Sequence, residues 1–192
     1  MIELETLGYN VLVRGHADLI FKHNNPSDYQ NMVDTLSGYT IPLDDILIGG
    51  GSKSKPTKAL EAKFNAHGWT PETIQIQDQY TYLTSGVTDG IGCITHEIDH
   101  FIHTGKIGVE IEWNNKDTFF DRDLGAFGVL YQKGIVDVGV IITRGSTLQE
   151  LLHSQKYGTS TTHWNKLINK IGLGIGGNFP LIALGIPYTT VR

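Results

Sequence analysis

Over residues 107–114, apolar and polar side chains alternate, and this stretch constrains the chain more than any other. Ile107, Val109, Ile111 and Trp113 interleave with Glu110, Glu112 and Asn114. Successive side chains of a strand point to opposite faces, so Glu110 and Glu112 project the same way. A third acid, Asp99, lies just upstream in Glu97-Ile98-Asp99-His100-Phe101-Ile102. A hairpin turning near Thr104-Gly105-Lys106 sets Asp99 beside Glu110.

Three acids on neighbouring strands make an oxygen-rich pocket for a hard divalent cation, foremost Mg²⁺. Metal-assisted phosphodiester hydrolysis needs such a pocket. A solvated acidic strand face would account for the same three residues, so the rest of the chain has to decide.

The remaining pattern is that of an α/β chain. Asn25-Pro26-Ser27-Asp28 reads as a helix start, with Ser27 or Asn25 as cap and a helix over 27–37. Residues 55–67 carry Leu60 and Phe64 on one face, with Pro56 in the first turn and Gly68 past the end. Thr73-Ile-Gln-Ile-Gln77 alternates as a strand, whereas 85–92 is glycine-rich and reads as irregular. Strands follow at 97–103 and 107–114, then a helix over 121–133 that stops at Gly134. The β-branched run 136–143 has the character of a buried central strand. Ser146 caps a short helix ending near His153, a further helix covers 161–171, and 181–186 is the last strand. Strand, strand, helix, strand, helix in this order builds a central mixed sheet flanked by helices.

Composition narrows the setting. The 192 residues suffice for one domain with a sizeable core. No apolar run approaches the roughly 20 residues of a membrane span. Glu3 and Glu5 come early, and no basic region leads into an apolar stretch, so no signal peptide is expected. A lone cysteine, Cys93, excludes an internal disulfide and fits the cytoplasm. The net charge of −5 does not announce a nucleic-acid binder, but the local field governs docking, and cations offset site acids.

Asp99 followed by Glu110-x-Glu112 resembles the PD-(D/E)xK nuclease pattern in its E-x-E form, shared by BamHI-like enzymes. The longer run from Glu110 through Trp113-Asn114-Asn115-Lys116-Asp117 and Asp121-Arg122-Asp123 to Leu124, followed by Gly139-Val-Ile-Ile-Thr-Arg144, resembles the BglII/BstYI family of type II restriction endonucleases. Gly49-Gly50-Gly51-Ser52-Lys53-Ser54, Gly68-Trp69, the segment 161–167 and the run from Pro180 to Ile186 are similar to the same family. The resemblance runs from about residue 15 to the end. It implies a restriction-endonuclease-like core and a homodimer that cuts both strands of a short palindromic duplex site. It also implies Mg²⁺ as cofactor and a cognate DNA methyltransferase in the same restriction-modification system.

On that resemblance Asp99 and Glu110 hold the metal, with the backbone carbonyl of Ile111 as third ligand. Glu112 stands where most of the superfamily has a lysine. A glutamate accepts a proton from water, so Glu112 is expected as general base or as ligand to a second metal. Glu61 on the preceding helix is either an outer acid of the site or an exposed acid paired with Lys58 or another base. Asp121-Arg122-Asp123 reads as a helix start, where acids suit the positive helix end. Arg122 is a possible bridge between subunits.

Candidate DNA contacts follow from charge and position. Lys53 and Lys55 flank a helix N-terminus after bare glycine backbone, a setting that suits phosphate; a plain flexible loop reads equally well there. Lys116 either reaches a phosphate or pairs with Asp117 or Asp123. Asn165 and Lys166 lie in a segment rich in groups that read base edges, while Trp164 is expected to pack.

Two other classes compete. His96-Glu97-Ile98-Asp99-His100 satisfies H-E-x-x-H, the zinc-peptidase signature, which needs both histidines one turn apart on a helix. The flanking glycines and the alternation argue for a strand instead. A non-catalytic DNA-binding module would lack one of the three acids, and none is missing.

Overall fold

The alternating segment is a strand, and it lies inside a six-stranded mixed sheet. The computed structural model describes residues 1–47, 53–156 and 161–192. The glycine loop 49–52 and Ser160 fall outside the described residues. The strands are β1 (Asn10–Arg14), β2 (Thr70–Glu72), β3 (Gln75–Thr81), β4 (Thr88–Ile94), β5 (Ile98–Ile102), β6 (Ile107–Glu112), β7 (Val138–Arg144) and β8 (Leu181–Ile186). The helices are α1 (Ile2–Thr6), α2 (Ala17–Asn24), α3 (Pro26–Ser37), α4 (Leu43–Leu47), α5 (Lys55–Asn65), α6 (Thr118–Gln132), α7 (Ser146–Ser154) and α8 (Trp164–Gly172). None is long and apolar enough to cross a membrane.

The sheet order is β1-β8-β7-β6-β5-β2. The central strands β6, β7 and β8 run parallel, and the flanking pairs are antiparallel. Parallel neighbours need a crossover, and α6 supplies it between β6 and β7. The β5–β6 hairpin turns at Gly105 and Lys106, both with positive φ (91° and 53°).

Apolar side chains are buried on both faces of this sheet. Ile107, Val109 and Ile111 join Leu4, Phe21, Met32, Leu60 and Leu148 in one cluster with helices α1, α2, α3, α5 and α7. On the other face Phe120, Leu124, Phe127 and Leu130 of α6 pack with Leu167 of α8, Ile141 and Ala183. Phe127 lies so close to the sheet that a Cβ on Gly108 would fall 2.5 Å from its Cε1, and one on Gly139 2.7 Å from its Cδ2. Those two glycines let α6 approach β6 and β7.

Three local expectations need correction. Residues 88–94, part of the stretch read as irregular, form β4, paired with β3 from Gln75↔Ile94 to Thr81↔Thr88 in a separate two-stranded sheet. The glycines there hide the usual alternation; at Gly90 a Cβ would meet the Asp78 carbonyl at 3.0 Å. Helix α6 starts at Thr118, earlier than read, because Lys116 and Asp117 already accept the first turn's amide bonds. The cap of α7 is not Ser146, which is its first residue; Asn10 Oδ1 on β1 accepts the Ser146 N–H at 2.8 Å and its hydroxyl at 3.0 Å.

Candidate active site

Glu110 and Glu112 point to the α6 face of the sheet, and both are buried there. Helix and strand are nearly commensurate along this contact. Four helical residues advance roughly 6 Å and two strand residues roughly 6.6 Å. Phe127 covers Gly108, and Asp123, four residues earlier, comes to the level of Glu110. Arg122 spans Glu112 and Asp123: its Nη2 donates to Glu112 Oε1 at 3.3 Å, and its Nε to Asp123 Oδ1 at 2.9 Å. The guanidinium also sits 4.4 Å over the Phe119 ring. Asn115 Nδ2 donates to the other Glu112 oxygen at 2.7 Å.

The hairpin brings Asp99 to β6 as expected. Asp99 Oδ2 accepts the Ile111 N–H at 2.8 Å, which fixes the carboxylate next to Glu110. His96, in the segment entering β5, completes the group. Its Nε2 lies 2.7 Å from Glu110 Oε1 and 3.3 Å from Asp123 Oδ1. Lys53 pairs with Glu61 rather than standing free for phosphate, and Glu61 pairs with it rather than with Lys58. Both lie on the Asp99 side, where the Lys53 charge acts on the Asp99 carboxyl.

The electrostatics follow from burying four carboxyl groups together. Burial, then the charges of Asp123, Asp99 and Glu112, holds the Glu110 carboxyl well above the usual carboxylate range. Burial and Asp123 push Glu112 up to about 8. Asp123 rises to about 6 through burial, against the opposing pull of Arg122. Burial raises Asp99 despite its backbone hydrogen bond and Lys53. His96 is lowered to about 4, by burial and then Arg122, and so stays neutral at pH 7. One guanidinium and one ammonium do not balance these acids, and Asp123 Oδ2 is buried with no hydrogen-bond donor. A cation fits this chemistry. His96, Glu110 and Asp123 each offer a ligand atom, all within 4.8 Å of one another.

Sequence reasoning missed Asp123, His96 and the inward role of Arg122. Asp123 shares a helical phase with Phe120, Leu124 and Phe127, so an acid on the buried stripe was the available signal. Reading the helix start at Asp121 concealed it. His96 was seen only as half of H-E-x-x-H, and that reading fails here. The segment is no helix, and His100 lies elsewhere, its Nδ1 3.4 Å from the Trp69 carbonyl and its ring edge-on to Phe64.

The remaining residues of interest fall into two groups. Lys55 pairs with Asp45 at 2.7 Å, at the start of α5, whose cap is Ser54. Lys116, Asn165 and Lys166 belong to two segments that meet. Lys116 bridges to Thr161, the Thr162 N–H donates to the Asn115 carbonyl at 2.9 Å, and Lys166 Nζ lies 3.9 Å from Asp117. Arg144, at the end of β7, is the strut beneath them: buried, it donates through Nε and Nη2 to the Thr162 carbonyl at 3.1 and 2.7 Å. Lys116 and Asn165 are exposed, Lys116 without an ion pair among the described residues, and Trp164 packs partly buried against the α6 cluster.

A family model described as restriction endonuclease BglII/BglIII matches residues 9–186. No curated protein matches the sequence.

Proposed function

The chain belongs to the BglII/BglIII restriction endonuclease family and is a type II deoxyribonuclease, and we propose that it cuts both strands of a short palindromic site as a Mg²⁺-dependent homodimer. The observation that carries this reading is the meeting of half-buried Asp99 with buried Glu110 and Glu112 in one acidic pocket beside Arg122. All 192 residues then form one nuclease domain, working in the cytoplasm alongside a cognate DNA methyltransferase. Two-fold symmetry of the protein would mirror that of the site.

Asp99, Glu110 and the Ile111 carbonyl are the residues that would hold Mg²⁺. The ion, when bound, lowers the pKa of water and offsets charge growing on the phosphate. Glu112, held at about 8 by burial and Asp123 in the metal-free protein, would accept the proton of the attacking water once a bound cation had displaced its own. Arg122 supplies, from α6, positive charge beside a position where most of the superfamily has a lysine. It offsets part of the charge of Glu112 and Asp123 and orients the Glu112 carboxylate together with Asn115. Lys116, Asn165 and Lys166 form the rim that meets DNA, and Lys53 and Lys55 approach the backbone from the α5 side. The pairs that Lys53 and Lys55 make with Glu61 and Asp45 would have to open or share for that contact.

Cleavage of phage DNA with Mg²⁺, and with EDTA as control, tests this reading. Discrete fragments whose ends share one palindromic sequence are the expected result. Random nicking, or cutting undiminished by EDTA, would contradict it.

A further inference from the structure

We infer that His96, Glu110 and Asp123 form a second cation subsite, on the α6 side of Glu110, that takes a transition-metal ion such as Mn²⁺ in preference to Mg²⁺. The inference rests on the reading of Glu110 as a cation ligand, which the two subsites would share.

The spacing suits coordination. Two ligands at right angles around an ion, each at roughly 2.1 Å, lie about 3.0 Å apart. His96 Nε2 is 2.7 Å from Glu110 Oε1 and 3.3 Å from Asp123 Oδ1, on either side of that value. A hydrogen-bonded imidazole explains the group less well. Nε2 can donate one proton or accept one, yet it faces two carboxyl oxygens at once. A cation in the same place serves both carboxylates and accepts the imidazole lone pair.

A second observation points to a ligand independently of the spacing. Asp123 is fully buried: Oδ1 takes Arg122, the carboxylate also meets the Glu112 carboxyl, and Oδ2 has no N–H donor. A carboxylate oxygen shut away from water without a donor is costly unless a cation or a proton meets it.

The donor set selects the ion. Carboxylates alone suit Mg²⁺, Ca²⁺ and Mn²⁺, whereas imidazole favours later transition metals. One imidazole with two carboxylates fits Mn²⁺, and Mg²⁺ gains little from the nitrogen. The side pocket and the Asp99 pocket therefore differ in chemistry: the first has a nitrogen donor, the second only oxygens. A bound ion would also tie the segment before β5 to α6, two parts of the chain that the sheet does not link.

The test is a Mn²⁺ titration of the DNA-free protein followed by electron paramagnetic resonance, including pulsed detection of coupling to a ¹⁴N nucleus. The wild type is expected to bind two Mn²⁺ per chain, one showing an imidazole nitrogen. His96→Gln should lose that signal and one Mn²⁺ while keeping the other, and Asp123→Asn should weaken the same ion. Mg²⁺ should displace the other ion more readily than this one. His96 is partly exposed, so His96→Gln decides the matter should Asp123→Asn fail to fold. A nitrogen signal that persists in His96→Gln, or Mn²⁺ binding unchanged in it, would overturn the subsite. DNA cleavage is not the readout, so failure of the nuclease reading would be seen separately, in the phage DNA digest.

Discussion

Asp123 and Glu110 face each other across the contact between α6 and β6, with the His96 imidazole nitrogen 3.3 Å from the first and 2.7 Å from the second. Two fully buried acids are thus held together by a neutral ring and one neighbouring arginine. This arrangement favours a cation and disfavours the empty, ionised pocket.

The metal-free protein is expected to lose stability as pH rises. The Glu112 carboxyl has an ordinary value of 4.5 and a folded value of about 8. Between those values the folded state holds more protons than the unfolded one, so stability falls as pH increases. Asp123, with 3.8 ordinarily and about 6 folded, adds to the lower part of the same window. Melting temperatures in EDTA should therefore decline from pH 5 to pH 8. A flat or rising profile would contradict the buried-acid account.

Glu112→Gln removes one buried charge while keeping the Asn115 and Arg122 neighbourhood. It should stabilise the metal-free protein at pH 8 by about 1–2 kcal/mol and abolish cleavage. Thermal melts and single-turnover cleavage read the two effects. Destabilisation with full activity would show that Glu112 is a structural acid.

Cation binding should release protons, because the ion displaces those held on Glu110 and Glu112. Mg²⁺ affinity should consequently rise with pH up to about 8, the Glu112 value. Calorimetry in two buffers of different ionisation enthalpy counts the protons released. Equal apparent heats in both buffers would mean that the carboxylates are already ionised.

Gly108→Ala should destabilise the fold by roughly 1–3 kcal/mol, because the new methyl would lie 2.5 Å from Phe127 Cε1. Combining it with Phe127→Leu should recover part of the loss. Denaturant titration checks both. Additive losses in the double variant would argue that α6 does not press on β6 at this point.

Replacing Lys116 or Lys166 by alanine should weaken DNA binding across sequences and lower the salt slope by about one each. Asn165→Ala should instead alter preference among sites. Filter binding at several salt concentrations separates the two behaviours. An unchanged slope in both lysine variants would remove this rim from the DNA face.

Much of this molecule was legible beforehand because its signals are periodic. The alternation at Ile107–Glu112 and the β-branched run of β7 gave two central strands, and the hairpin at Gly105 brought Asp99 beside Ile111. What stayed hidden depends on long-range packing. The glycine-rich β4 has pairing without alternation, Asn10 caps a helix 136 residues away, and Asp123 enters the site because Phe127, four residues later, packs over Gly108. Lys53 was legible as a cation, but its pairing with Glu61 was not.

The most direct measurement compares DNA cleavage by wild type and Glu110→Ala with Mg²⁺, using variants shown to be folded by circular dichroism. Glu110 is the residue that both cation positions and the attack on phosphate share in this account. Specific fragments from the wild type and none from a folded Glu110→Ala are the expected result. Cleavage at a comparable rate by the variant would contradict the assignment of this pocket as the active site.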